Sequence, residues 1–435
     1  MTEKSKNKLT IKGFIVTALI ILLLIPTLII NTLVNERKAR QAEAFSEISN
    51  KWAEAQTITG PIVSIPYEEY YKESNGVTRK VKRYIHILPE ELKIKGELLP
   101  EKRYRGIFET VVYSSNIEFT GSFSDIYSSM ESIQSKDVLF NEAFVSLGIT
   151  DLRGIENNVS IDFNKESYSF NSGIETNDIF KCGIHAQIHL DIQDSINHIY
   201  HFSLKLKLKG SQYLYFTPVG KETILDISST WDTPSFDGAY LPDSREVKST
   251  GFTATWKVLH LNRNYPQYWL NSAYSVEDSA FGVMLYLPVD NYTKTDRAIK
   301  YAILFIALTF LIFFFLELLT HNSIHPLQYI LIGFALTIFY ILLLSISEQL
   351  YFNMAYLLSS IMTIGLISWY SRSILKDKKL AFLIGGNLII LYGFIFVILQ
   401  LQDYALLIGS LGLFTILTIV MYFSRKIDWK GISEN

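Results

Sequence analysis

From about residue 299 the chain passes through five apolar stretches, at about 299–319, 327–347, 351–370, 380–399 and 404–423. Each is close to the roughly twenty residues that carry a helix across the hydrocarbon core of a bilayer. The links between them are short: THNSIHP, EQLY, SRSILKDKK and QLQD. A sixth apolar run, Gly13–Val34, follows a start that carries Lys4, Lys6, Lys8 and Lys12. It is too long for a secretory h-region and no A-x-A-like cleavage site follows it, so it reads as a retained anchor. Pro26 falls inside this run, where membrane helices tolerate proline. The pattern specifies a membrane protein with an N-terminal anchor helix and a C-terminal bundle of five transmembrane helices, six in total.

The stretch between the two membrane parts has a different texture. Over residues 35–56 the residues Ala42, Phe45, Ile48 and Trp52 recur at spacings of three and four, which predicts a stalk helix with a narrow apolar stripe. Thr59-Gly60-Pro61 is expected to break it. Short alternating runs follow, clearest in YHFSLKLKLKG, where Phe202, Leu204, Leu206 and Leu208 face one side and Ser203, Lys205, Lys207 and Lys209 the other. These predict a large, mostly antiparallel β domain, with a short helix near Phe123–Ser135, a turn at Ser74-Asn75-Gly76 and an internal boundary near Gly154. The expected division is a cytoplasmic segment 1–12, an anchor 13–34, a β-rich extracytoplasmic domain 35–298, a helix block 299–423 and a cytoplasmic tail 424–435.

Charge in the short loops predicts the orientation. With six spans, both termini share one side. That side holds the four N-terminal lysines, Arg372, Lys376, Lys378 and Lys379 in one loop, and Arg425, Lys426 and Lys430 in the tail, against no Lys or Arg in EQLY and QLQD. Arg37, Lys38 and Arg40 after the first span, and Lys294, Arg297 and Lys300 before the second, run against this bias. Long domains translocate largely regardless of charge, so the short loops carry more weight and place the β domain outside the cytoplasm. The net charge of −2 argues against a nucleic-acid partner. Cys182 stands alone, so no intrachain disulfide is available.

Candidate site residues are few. Glu317, His321 and His325 are four apart and share a helical face if the span continues. No H-E-x-x-H is present, however, and the trio reads as interfacial caps rather than a metal site. Glu348 and Asp403 sit at span ends, and Asn387 reads as a helix–helix hydrogen-bonding residue. No charged residue lies deep in a span, which weakens a proton-coupled transport reading. Asp296, Arg297 and Lys300 stand where the β domain gives way to the second span and are candidates for setting its depth and for coupling the two regions. Trp231, Phe236 and Trp256 form a candidate ligand patch, with a core corner as the plainer reading. His185 and His189 share the polar side of a strand with Gln187 and Asp191, about 13 Å apart and too far to chelate one ion. No Walker loop, Rossmann fingerprint, G-x-S-x-G or C-x-x-C is present, so no catalytic residue, cofactor or metal is expected, and a hydrolase hidden in the β domain is the least favoured reading.

Several short stretches carry a resemblance. They are Asp290, Tyr292, Thr295, Asp296, Arg297, Ala298, Lys300 and Tyr301 with the run to Glu317, then His325-Pro326, Gln328-Tyr329, Ser347-Glu348 and Asp428-Trp429. In the middle region they are Gly60-Pro61, Trp231, Pro234-Ser235-Phe236, Leu241-Pro242, Arg245-Glu246-Val247, Gly251-Phe252 and Trp256. In these residues the chain resembles, nearly end to end, the CreD family of bacterial inner-membrane proteins. The resemblance implies an inner-membrane protein linked to envelope integrity and stress, in some bacteria under the CreBC two-component system, with colicin tolerance and β-lactam sensitivity among the family's phenotypes. No catalytic residues are established for the family, so none carries over. The expectation is a non-enzymatic membrane protein whose β domain binds an envelope protein, lipid or glycan. The alternative is handling or transport of a lipid or envelope precursor by the helix block.

Overall fold

The computed structural model describes residues 4–72, 78–124, 126, 137–190, 199–285, 291–320, 324–401 and 404–425. His321, Asp191, Asp403 and Ser74-Asn75-Gly76 lie outside these residues, as does most of the helix expected near Phe123–Ser135. The chain divides into two compact units, Glu43–Pro288 and the remainder.

In the first unit, eighteen strands are described. They are β1 (Gln56–Lys72), β2 (Thr78–Ile87), β3 (Glu91–Arg105), β4 (Phe108–Phe123), β5 (Asp137–Val138), β6 (Phe144–Ile149), β7 (Ser160–Phe163), β8 (Glu166–Ser169) and β9 (Asn171–Ser172), followed by β10 (Gly183–Gln187), β11 (Tyr200–Ser211), β12 (Tyr213–Thr217), β13 (Glu222–Ser229), β14 (Pro234–Gly238), β15 (Ser244–Lys248), β16 (Gly251–Leu259), β17 (Tyr268–Leu270) and β18 (Phe281–Leu285). They form two sheets. One has the order β14-β18-β12-β1-β6-β10-β9, with β2, β5 and β17 joined to its flank, and the other has the order β15-β16-β13-β3-β4-β11-β7-β8. Pairing is antiparallel except for β1 with β12 and β3 with β13. One continuous core lies between the sheets, and the alternating leucines Leu204, Leu206 and Leu208 of β11 point into it. Their opposite neighbours Lys205 and Lys207 are exposed, as a period of two requires.

The boundary expected near Gly154 does not exist. Gly154 is buried in a 3-10 turn, where an added Cβ would lie 2.7 Å from Gln56 Nε2. The break expected at Thr59-Gly60-Pro61 also falls elsewhere. The helix stops at Trp52, and Gly60-Pro61 lies within β1, across a cis peptide at a bulge opposite β6. Gly60 has φ +123° there, a conformation that side chains rarely adopt.

The second unit is helical: α1 (Lys4–Trp52), α2 (Asn291–Lys300), α3 (Ala302–Thr320), α4 (Pro326–Ser347), α5 (Phe352–Leu375), α6 (Lys378–Gln400) and α7 (Ala405–Arg425). Anchor and stalk are thus one helix, whose last turns belong to the β unit. Among the described residues five helices are long and apolar enough to cross a membrane, or six if α2 with α3, bent by 43° at their junction, counts as one span. The stripe Leu19, Leu23, Thr27, Ile30 and Val34 is the buried face of α1. Its spacing of three and four is that of a helix docked on a bundle, and Leu23 meets α4 where Gly333 leaves room for it.

Candidate functional site

Two charged clamps hold α1 in the helix block. At one end Lys12 pairs with Glu317 near the C-terminus of α3. The same carboxylate accepts from Ile324 N (3.2 Å) and from the Tyr329 hydroxyl (3.2 Å). At the other end Arg37 Nε lies 3.5 Å from Glu348 Oε1, which also accepts from the Tyr292 hydroxyl at 3.1 Å. Asn291 Nδ2 donates to Ser347 O beside it at 2.6 Å. Lys12 and Arg37 are 25 residues apart, about 38 Å along a helix and close to the ~40 Å bilayer thickness that includes the headgroups. Each clamp therefore sits at a membrane edge, where a charge can be held without crossing hydrocarbon. Glu317 and Glu348 were legible as span-end carboxylates. Their partners were not, although the basic residues at both ends of the first apolar run, Lys12 and Arg37 among them, were the available signal.

The remaining membrane-side candidates have local roles. His325 caps α4: Leu327 N donates to its Nδ1 at 3.2 Å, and its own N–H donates to Gln328 Oε1 at 2.9 Å. Asp296 and Lys300 pair along α2 at 2.9 Å. Arg297 is half-buried and meets no carboxylate among the described residues. Asn387 departs from its expected role, because its Nδ2 donates to Leu383 O of its own helix at 3.0 Å rather than across helices.

The ligand patch resolves into a core corner. Trp256 on β16 is fully buried, with Nε1 donating to Tyr240 O at 3.2 Å. Phe236 on β14 meets Trp256 edge-on at 5.7 Å and Phe252 at 5.6 Å. Trp231 is 9% exposed and donates to Thr233 O. Trp231 and Trp256 belong to the core between the two sheets and Phe236 packs against it, so their large apolar area is spent mainly on packing.

In the β unit the structure joins residues the sequence left scattered. Ser64 on β1 and His86 on β2 are cross-strand partners, with Oγ 2.9 Å from Nδ1. His86 Nε2 lies 3.1 Å from Asp178 Oδ2. The hydrogen bond from His86 holds the Asp178 carboxyl below its usual range, against the opposing effect of burial. Asp178 belongs to the segment 173–182, which a second histidine also holds. His185 donates to Gly173 O at 2.9 Å and pairs with Glu175 at 3.2 Å. The serine and histidine of this trio are closed off from solvent. Ser64 is 1% and His86 0% exposed. The flanking residues Val63 and Ile65 are registered with β2, and Val63 with β6 as well, so their backbone is engaged in pairing rather than free to form an oxyanion hole. The trio ties a loop to a sheet. Among the described residues no group of three or more His, Cys, Asp or Glu could hold a metal ion.

The open face of the second sheet carries a basin of about 530 Å³ with charged residues among those that line it. Across it, Asp226, Lys95, Glu118 and Lys205 stand in one register row and alternate in sign. The next row holds Ser228, Glu97, Asn116 and Lys207.

The profile of the family described as "Inner membrane protein CreD" matches residues 8–430. The chain belongs to the CreD family. A relative of that description from Escherichia coli (strain K12) is 30% identical over 419 residues, covering 95% of this chain and 92% of its own. This CreD-family chain is thus an inner-membrane protein with several membrane-spanning helices, as the apolar runs predicted. A crystal structure of an M1 zinc metallopeptidase from Deinococcus radiodurans aligns with 39% of the chain and 39% of its own at 6% identity and a TM-score of 0.20, a likeness that carries no argument.

Proposed function

We propose that this CreD-family protein is a non-enzymatic part of the cell envelope, acting in envelope integrity or stress. In this reading its β domain lies outside the cytoplasm and binds a polar envelope component, while its helix block anchors the domain and relays its state. The rows of charged residues across the basin on the open sheet face carry the reading. Alternating carboxylates and ammonium groups suit a peptide or glycan chain that bears both charges better than a lipid tail. The orientation draws support from the basic short loops and from Arg37, whose charge is matched by Glu348 and so weighs less as a topological signal.

The test is crosslinking in native membranes followed by recovery of the full-length protein, in parallel with Lys95→Glu/Lys207→Glu. The expected outcome is an envelope peptide or glycan captured by the wild type and lost from the variant at unchanged protein level. Capture unaffected by the two reversals, or turnover of the captured molecule, would overturn the reading.

A further inference from the structure

The helix block contains a second hollow, of different character. Between α3, α6 and α7 lies a groove of about 610 Å³, walled by Leu311, Phe315, Leu383, Phe394 and Ile416. Its polar members are satisfied locally: Asn387 Nδ2 donates to Leu383 O and the Thr415 hydroxyl to Leu411 O. Three features say what fits it.

The first is depth. On α6 the wall runs from Leu383 to Phe394, about 16 Å at 1.5 Å per residue, and on α7 from Gly412 to Val420, about 12 Å. One leaflet of hydrocarbon is about 15 Å, half of the bilayer core. The second is the way α7 is held. It has no buried residue among those described, and an added Cβ at Gly412 would strike the Phe394 ring, so this ring packs on the bare Gly412 backbone at the far end of the groove. Towards the other end the groove is lined by Leu383 and Asn387 of α6 and by Ile416, Ile419 and Val420 of α7.

The third is charge. Beyond Leu383 stand Lys376 at the end of α5 and Lys378 and Lys379 at the start of α6, and Arg425 ends α7, which runs antiparallel to α6. All four are exposed, and none pairs with a carboxylate among the described residues. Asp377, the acid beside them, caps Lys379 N at 2.8 Å. Glu317, which α3 brings to the same end, is taken up by Lys12.

We infer that the groove holds an acyl chain of an anionic phospholipid from the leaflet on the Lys378 side, with its phosphate among Lys378, Lys379 and Arg425. The apolar wall accepts any acyl chain; the unpaired cations select the headgroup. The lipid supplies the packing that α7 otherwise lacks, so it belongs to the folded block rather than to passing solvent. This site is separate from the basin of the β domain, and either can stand without the other.

Thermal unfolding of the full-length protein in mild detergent tests it, with added dioleoyl phosphatidylglycerol or dioleoyl phosphatidylcholine. Phosphatidylglycerol is expected to raise the midpoint more than phosphatidylcholine, and inorganic phosphate alone to leave it unchanged. Lys378→Gln/Lys379→Gln/Arg425→Gln should weaken the phosphatidylglycerol response by roughly tenfold or more in lipid concentration, while Lys378→Arg/Lys379→Arg keeps it. Ile416→Trp, which fills the groove, should reduce the response to both lipids. If it does not fold, the wild-type comparison of the two lipids decides. Equal stabilisation by the two lipids, a preference that survives the triple substitution, or a response to free phosphate as large as that to phosphatidylglycerol would overturn the inference.

Discussion

The two units bury polarity by different rules. In the β unit single polar groups sit deep and are met by whatever the sheets and loops supply. Arg263, 9% exposed, donates to Tyr265 O at 2.6 Å and Val219 O at 3.3 Å, and burial pulls its guanidinium below its usual range. His86 is served by a serine and an aspartate, and Thr59 by Thr217 at 2.8 Å. In the helix block the described ion pairs stand at the ends of spans. Within the spans several hydroxyls turn back to their own helix, as Ser360 does to Tyr356 O and Ser371 to Ile367 O, while the Tyr356 hydroxyl crosses from α5 to Tyr392 O of α6 at 2.8 Å. The difference follows from the surroundings. Loops and strand ends offer carbonyls to a buried donor, whereas a helix in hydrocarbon keeps its carbonyls bonded internally and water is absent. Charge pairing in the block is therefore kept to the edges among the described residues, where it can serve as a clamp.

Three experiments would break or sharpen that contrast. The largest expected effect is in the β unit, where Trp256→Ala removes a fully buried ring and should cost about 3–5 kcal/mol, read from denaturant unfolding of the full chain by near-UV circular dichroism. A ligand-patch tryptophan would be nearly neutral in the same measurement.

Next come the clamps, which differ from one another. The Glu317 carboxylate, 9% exposed, has three partners, whereas Glu348, 13% exposed, has a longer contact to its cation. Glu317→Ala should lower the stability of the block by about 3 kcal/mol, the scale of a broken buried pair. Glu348→Ala should lower it by about 1 kcal/mol. Thermal unfolding of the two variants in the same detergent compares them, and Lys12→Met/Glu317→Leu should recover much of the first loss. Equal losses would show that the two clamps do not differ in strength.

The smallest effect concerns the tie between Asp178 and His86. The folded-state carboxyl is held below its usual value, so its stabilisation is present above the unfolded pKa of about 3.9 and fades as pH falls through the lower folded value. Asp178→Asn should cost about 1 kcal/mol at neutral pH and should flatten the acid limb. Hydrogen exchange in the segment 173–182, followed from pH 7 down to about 3, reads both effects. Exchange that is unchanged by the substitution at every pH would remove this tie from the account.

The six apolar runs, the alternating leucines of β11 and the polar ends of the spans could all be read along the chain, because each is a local property of composition or period. Glu317 and Glu348 stood out for the same reason, as carboxylates beside long apolar runs. Their roles did not. Lys12 meets Glu317 across 305 residues and Asp178 reaches His86 across 92, and no spacing rule links positions so far apart. The parallel pairing of β1 with β12 and the closing of Trp256 and Phe236 between two sheets are of the same kind. By itself the sequence determined where the chain must meet lipid and where it must form sheet, since hydrophobicity and periodicity act over neighbouring residues. Only the tertiary structure decided which distant charge answers which, because that depends on how the chain returns on itself.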